Sequence, residues 1–361
     1  MTILSLSEAE LRARQSLKWQ VYPPDVLPMW VAEMDTLVLP EVQDALAHAI
    51  SIGDTGYPWH NVCVTAFQAQ ARQRWGWEID DKSIVSALDV MSNIHFTLLA
   101  ATNIGDGVII NPPIYPPFRR VIRLLGRQAV EVPLGELPGA EVTAKAWLLC
   151  SPHNPTGHIY SPAELEAIVH WCNTHGVQLI VDEIHALLID PGAVFTPILT
   201  VPGAERVIQV TSAGKSWNLA GFKAGLVTGG PHSPITEVSH HVHLQGGHLA
   251  YIAHATAIRH GQAWVDELMG EIALNKQLLA SELAAKLPEV RYSPAPGTYL
   301  AWVDCSALGL ENPQKHFAQH AKVAFSPGAD YAPSHQQWVR VNLACNPDFV
   351  REAVARMSAS L

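Results

Sequence analysis

The chain has 361 residues, 48% hydrophobic and 16% charged, with 23 Lys plus Arg against 33 Asp plus Glu for a net charge of −10. At roughly 150 residues per domain that length suggests two domains, and so large an apolar share argues against disorder or coiled coil. The acidic balance argues against a surface built for nucleic acid or an anionic membrane.

The first nineteen residues meet acidic and basic side chains too early to contain a signal-peptide core, and the first forty, rich in Pro and Trp, show no strong periodicity. No uninterrupted apolar run approaches the roughly 18 residues of a membrane helix, so a cytoplasmic protein is expected. Five scattered Cys without C-x-x-C spacing read as reduced thiols, with Cys150 buried.

From about residue 80 to 230, short apolar runs alternate with helix-like segments. The predicted strands are Ile84–Ala87, Val108–Asn111, Ala129–Val132, Ala146–Cys150, Val177–Val181, Val207–Thr211 and Gly225–Thr228. Between two of them, Ser161, Pro162 and Glu164 form a cap and first turn, and that helix runs to Gly176. The alternation implies α/β crossovers and a mainly parallel seven-stranded sheet flanked by helices, which binds ligands beyond its strands' carboxyl ends. Residues 249–287 carry helical spacing up to a stop at Pro288. Strands at Tyr299–Val303 and Trp338–Leu343 follow, then a final helix. The expected division is a large domain over 43–248, with 1–42 and 249–361 forming an N-terminal arm and a smaller α+β domain.

His240, His241, His243 and His248 are dense, but no Cys or carboxylate stands at a familiar ligand spacing, and no metal is expected. The informative segment is Thr211-Ser212-Ala213-Gly214-Lys215-Ser216-Trp217-Asn218-Leu219-Ala220-Gly221-Phe222-Lys223. Its Gly-Lys-Ser ends like a phosphate-binding loop, but that motif needs a Gly where Gln209 stands. A lysine held at a strand end to form an imine is the other reading. Two more segments bear on it: Ser151-Pro152-His153-Asn154-Pro155-Thr156-Gly157, and Val181-Asp182-Glu183-Ile184-His185. Each alone is an ordinary turn or helix cap. In this order and spacing with Lys215, they resemble the fold-type I, aspartate-aminotransferase-like enzymes that use pyridoxal 5′-phosphate (PLP), from about Pro28 to Asn346.

The resemblance implies a role for each matching residue. Lys215 matches the lysine that binds PLP covalently and then, displaced by substrate, takes the Cα proton. Asp182 matches the carboxylate paired with the pyridinium nitrogen, and Asn154 the amide on the phenolic oxygen. His185 stands where that oxygen usually meets a tyrosine, so its role stays open. Tyr115, in Asn111-Pro112-Pro113-Ile114-Tyr115-Pro116-Pro117-Phe118, matches the aromatic residue stacked on the ring. Taken alone, it reads as a half-buried Tyr in an extended loop. Val90 and Met91 match the helix-opening turn at the phosphate. Ser212 matches a hydroxyl donor, and Lys223 replaces the usual Arg. Tyr57, in Gly56-Tyr57-Pro58-Trp59, matches a tyrosine supplied to the phosphate by a neighbouring subunit, which implies a homodimer with shared sites. Arg340, on an alternating strand with Val339, Val341 and Leu343 on the other face, matches the arginine for the substrate carboxylate. The carbonyl-lined turn Val31-Ala32-Glu33-Met34 of the N-terminal arm is expected to close over the same group, with the amide of Asn154 beside it.

Leu27-Pro28-Met29-Trp30-Val31-Ala32-Glu33-Met34-Asp35, with the Tyr57, Tyr115, Asp182 and Lys215 segments, resembles the cystathionine β-lyase or C–S lyase branch (the MalY/PatB type). Glu33 replaces that branch's common Asp, and Gly214 a Ser. The implied activity is α,β-elimination on S-substituted L-cysteines, giving thiol, pyruvate and ammonia, with Tyr57 steering a proton near the leaving sulfur. The alternatives are a class I/II aminotransferase using the same residues, and a regulatory protein retaining the fold. Trp30, Trp59, Trp217 and Phe222 read equally as a thioether pocket or as packing.

Overall fold

A computed structural model describes residues 2–59, 62–139, 141–243 and 245–361. Its seven-stranded sheet runs in the order Ile84–Ala87, Gly225–Gly229, Ile208–Thr211, Gln178–Asp182, Ala146–Cys150, Gly107–Ile110, Gln128–Glu131. Every neighbouring pair is parallel except the two made by Gly225–Gly229. The central strands Ala146–Cys150 and Gln178–Asp182 are buried at every position, as a sheet covered by helices on both faces requires. The edge strand Gln128–Glu131 is largely exposed and places Gln and Glu where water meets it. All five Cys are free and buried.

The predicted strands recur with ends shifted by a residue or so. The helix Pro162–His175 has the expected cap: Ser161 and Glu164 bond reciprocally, and Gly176 ends it at φ 64.

The long helix expected over 249–287 is instead two, His248–His260 and Gln262–Lys286, broken at Gly261. Trp217 Nε1 donates to the Gly261 carbonyl at 2.9 Å. A Cβ at 261 would strike that indole and the Ala257 carbonyl. The break therefore seats the tryptophan of the lysine loop, a contact that no helical periodicity encodes.

After the long helix, Ser326–Pro327, Trp338–Asn342 and Leu300–Asp304 form a three-stranded antiparallel sheet. Val339, Val341 and Leu343 point into a core shared with Phe317, Phe325 and the terminal helix Pro347–Ala359. The N-terminal arm is tied on along its length. The Ile3 and Leu4 N–H groups donate to the Glu271 carboxylate, each at 2.8 Å, and Leu27–Pro28 pairs in parallel with Val323–Ala324. Residues 30–34 are thereby laid between the two sheets. Among the described residues, no helix is long and apolar enough to cross a membrane.

Candidate active site

Because Ala146–Cys150, Gln178–Asp182 and Ile208–Thr211 are parallel neighbours, the segments following them emerge at one edge of the sheet. Asn154, Asp182 and Lys215 meet there in a solvent-open cleft. Of the residues expected from the resemblance to hold cofactor or substrate, all but Tyr57 line it.

Lys215 Nζ donates to the Ala32 carbonyl at 2.7 Å. Burial, with help from the Arg340 and Lys223 charges, pushes its proton affinity down to about 8 against the opposing pull of Glu33 and Asp182. Asp182 is 3% exposed, and burial lifts its carboxyl to about 7 although the Ile184 N–H, at 3.0 Å, and the Lys215 charge favour the anion. Among the described residues, no cation forms an ion pair with this carboxylate. His185 is held neutral, pushed down to about 3 by burial and then by the Lys215 and Arg340 charges. Its Nδ1 is buried without a hydrogen-bond partner among the described residues.

Arg340 is 4% exposed, yet its hydrogen bonds go to neutral acceptors: Asn154 Oδ1 at 3.1 Å, the Trp30 carbonyl at 3.1 Å and Ser326 Oγ at 3.3 Å. Its Nε is unpartnered among the described residues, and its guanidinium lies 5.1 Å from the Tyr331 ring. A buried guanidinium bonded only to neutral groups calls for an anion.

At the other end, the helix Val90–Ala101 opens onto the cleft, its Asp89 cap accepting from the Ser92 N–H at 2.8 Å. Val90 and Met91 thus bring first-turn N–H groups to the site. Gly225 lets this helix end sit against the sheet, since a Cβ there would lie 2.9 Å from Asn93 Nδ2 and 3.3 Å from the Asp89 backbone. Lys223 Nζ lies 3.8 Å from Asp89 Oδ2, and Ser212 Oγ donates to the Ala224 carbonyl at 2.7 Å. Tyr115, just before the helix Pro116–Leu124, packs edge-on against Phe118, and burial pushes its phenol up to about 12.

This donor set fits PLP. It offers an amine for the aldehyde, a buried carboxylate for the ring nitrogen and an aromatic face. An orphaned imidazole nitrogen, and a helix end with Lys223 for the phosphate, complete it.

Sequence reasoning missed how residues 30–34 are held. Each carbonyl of this strap accepts from a side chain. Ser326 takes Trp30, Asn342 takes Val31 and Glu33, Lys215 and Tyr299 take Ala32, and Asn218 takes Met34. Asn218, three residues after Lys215, also accepts from the Met34 N–H at 2.8 Å, and its own φ is 56. A polar side chain repeated so near the lysine was a usable signal for Asn218; Tyr299 had none. Ala32 shows the lysine its carbonyl, which cannot bind a carboxylate, so any hold on substrate there falls to its N–H.

Tyr57 is 99% exposed, and its own chain does not bring it to the cleft. Trp217 is core and Phe222 lines the cleft. Trp30 packs edge-on against Tyr22, and Trp59 is largely exposed. In the histidine-rich patch, His241 stacks on Phe96 and His248 Nε2 lies 3.0 Å from Asp54 Oδ1.

The family model described as aminotransferase class I and II matches residues 25–357. The chain belongs to this family. Within it, a Mycobacterium leprae protein provisionally named a cystathionine β-lyase is 37% identical over 390 residues, covering 99% of this chain and 97% of that protein. Cystathionine β-lyase PatB of Bacillus subtilis is 29% identical over 374 residues, covering 96% and 97%. The crystal structure of a Corynebacterium diphtheriae protein, provisionally named a PLP-dependent β-cystathionase, superposes with a TM-score of 0.94 at 27% identity, covering 99% and 98%. The sheet and cleft are those of the fold-type I, aspartate-aminotransferase-like α/β fold.

Proposed function

We propose that this class I/II family member is a PLP-dependent C–S β-lyase. It performs α,β-elimination on S-substituted L-cysteines, in the manner of a cystathionine β-lyase, and yields thiol, pyruvate and ammonia. The carrying observation is a half-buried amine, Lys215, poised near 8 in one cleft with a cation-seeking Asp182 and an anion-seeking Arg340. The full-length likeness to relatives named cystathionine β-lyase selects elimination over amino transfer.

Bound PLP supplies an electron sink for the charge left on the substrate Cα. The chain does the rest. Arg340, joined by Asn154, turns from its neutral partners to the substrate carboxylate, fixing which Cα bond faces the lysine. Lys215 takes the Cα proton as its neutral amine. With PLP bound, Asp182 would keep the ring nitrogen cationic, Tyr115 would supply an aromatic face, and Asn154, with His185 near it, would serve the phenolic oxygen. Val90, Met91, Ser212 and Lys223 hold the phosphate, with Tyr57 of a second copy completing the site and steering a proton near the sulfur. That arrangement makes the working form a homodimer, and we place it in the cytoplasm.

The test is turnover of purified, PLP-loaded protein on a panel of S-substituted cysteines, with pyruvate and thiol read together. Equimolar pyruvate and thiol from a single substrate is the expected result. Keto acid formed only when a second, amino-accepting keto acid is added would replace the lyase with an aminotransferase.

A further inference from the structure

Two side chains donate to the Ala32 carbonyl, Lys215 Nζ at 2.7 Å and Tyr299 Oη at 3.1 Å. Tyr299 is 1% exposed, lies edge-on to His185 with ring centroids 6.4 Å apart, and is pushed by burial far above the ordinary phenol range, so it remains a protonated donor. Its backbone is also fixed, because Thr298 before it adopts φ 62 and the Leu343 N–H donates to the Tyr299 carbonyl at 2.9 Å. On either side of Ala32, Asn342 holds the Val31 and Glu33 carbonyls at 2.7 and 2.6 Å. The direction of the Ala32 carbonyl is thus set from the three-stranded-sheet side. The amine that uses it comes from the seven-stranded sheet.

We propose that Tyr299 is a positioning residue for Lys215: its phenol pins the Ala32 carbonyl, and that carbonyl is the berth of the lysine amine while it is free to act on substrate. This rests on the reading above, in which Lys215 removes the Cα proton. An amine that directs one N–H at a fixed carbonyl turns its lone pair away from it, into the cleft. When the proton moves, the C–H electron pair stays with the substrate, Nζ becomes an ammonium, and Ala32 accepts from it more strongly.

The charged groups facing Nζ are Arg340 and Lys223, which disfavour the ammonium, and Glu33 and Asp182, which favour it; His185 and Tyr299 are neutral. Tyr299 shares the oxygen that would hold the ammonium and so lessens its pull. Without the phenol, Lys215 keeps its proton to higher pH.

Tyr299→Phe retains the ring and tests this directly. In the PLP-loaded enzyme, kcat is expected to fall about 3- to 10-fold, as for one lost hydrogen bond, with KM and PLP affinity unchanged and the acid limb of kcat moved to higher pH. Without turnover, acylation of Lys215 in the full chain stripped of PLP, followed against pH by mass spectrometry, is expected to show a midpoint raised by about half a unit. An unmoved midpoint overturns the proposal whatever the rate does. A loss of PLP affinity as large as the loss of kcat overturns it too, by making Tyr299 a packing residue. Because the midpoint needs no turnover, failure of the lyase assignment shows up separately in the product assay.

Discussion

Lys18, fully buried, and Lys215, half-buried, both donate to carbonyls of the strap at residues 30–34, and their surroundings divide them. Lys18 Nζ reaches the Glu33 carbonyl at 3.2 Å and also the Asp35 carboxylate at 2.7 Å, with Trp19 Nε1 donating to the other carboxylate oxygen at 2.9 Å. Lys215 has the Ala32 carbonyl and, at longer range, a balance of charges that leaves its ammonium disfavoured. A carboxylate in contact turns a buried lysine into a strut for the strap. A carbonyl in contact, with cations near, leaves the ammonium disfavoured, as the proposed role of Lys215 requires. The cleft and the strap use one residue type in opposite settings.

The sharpest way to break this contrast is to remove each amine. Lys215→Ala is expected to lower pyruvate release by about 10²–10⁴-fold while leaving the denaturant midpoint nearly unchanged. Full turnover in that variant would end the assignment of Lys215 as the base. Lys18→Met should do the reverse. It strands a buried Asp35 and costs about 3–5 kcal/mol, read as a lower urea midpoint, with activity per folded molecule reduced by less.

Arg340→Lys probes the cleft's anion end, where a point charge replaces a fork. The expected change is a KM for the amino acid raised about 10- to 100-fold, corresponding to about 1.5–3 kcal/mol, with PLP affinity retained. An unchanged KM would place the substrate carboxylate elsewhere.

The smallest effect concerns the turn that carries Asn154. His153 is buried between Thr156 Oγ1 and the Asn111 carbonyl, and burial pushes it down to about 3. The unfolded chain protonates this histidine near its ordinary 6.5. Its contribution to stability is therefore complete above that value and is lost as pH falls towards 3. Between pH 7 and 5, the stability advantage of wild type over His153→Asn should shrink by about 2 kcal/mol, measured by urea unfolding at both pH values. A constant difference would mean that the imidazole accepts a proton in the folded state. The pH dependence of turnover has its own sign, since Lys215 acts unprotonated and the rate should rise with pH through about 8.

How much could be read beforehand follows how local each signal is. The strands, the capped helix at Pro162 and the order of Asn154, Asp182, Lys215 and Arg340 are all carried by near neighbours or by motif spacing, and each stands in the structure at or near the expected residues. The break at Gly261 depends on an indole forty-four positions away. Tyr299 reaches Ala32 across 267 positions. No periodicity reports a contact at that range, because periodicity records only which face of an element is apolar.

Apolar alternation by itself determined the class of sheet and the edge at which a ligand would sit, and the resemblance of the motifs to a known family supplied the residues expected to hold it. Only the tertiary structure decided what each polar group is worth. Whether a lysine is base or strut, whether Arg340 already has an anion, and which donor each strap carbonyl receives depend on burial and on partners from distant segments. Electrostatic energies are set by those distances and by excluded water, and neither is written along the chain.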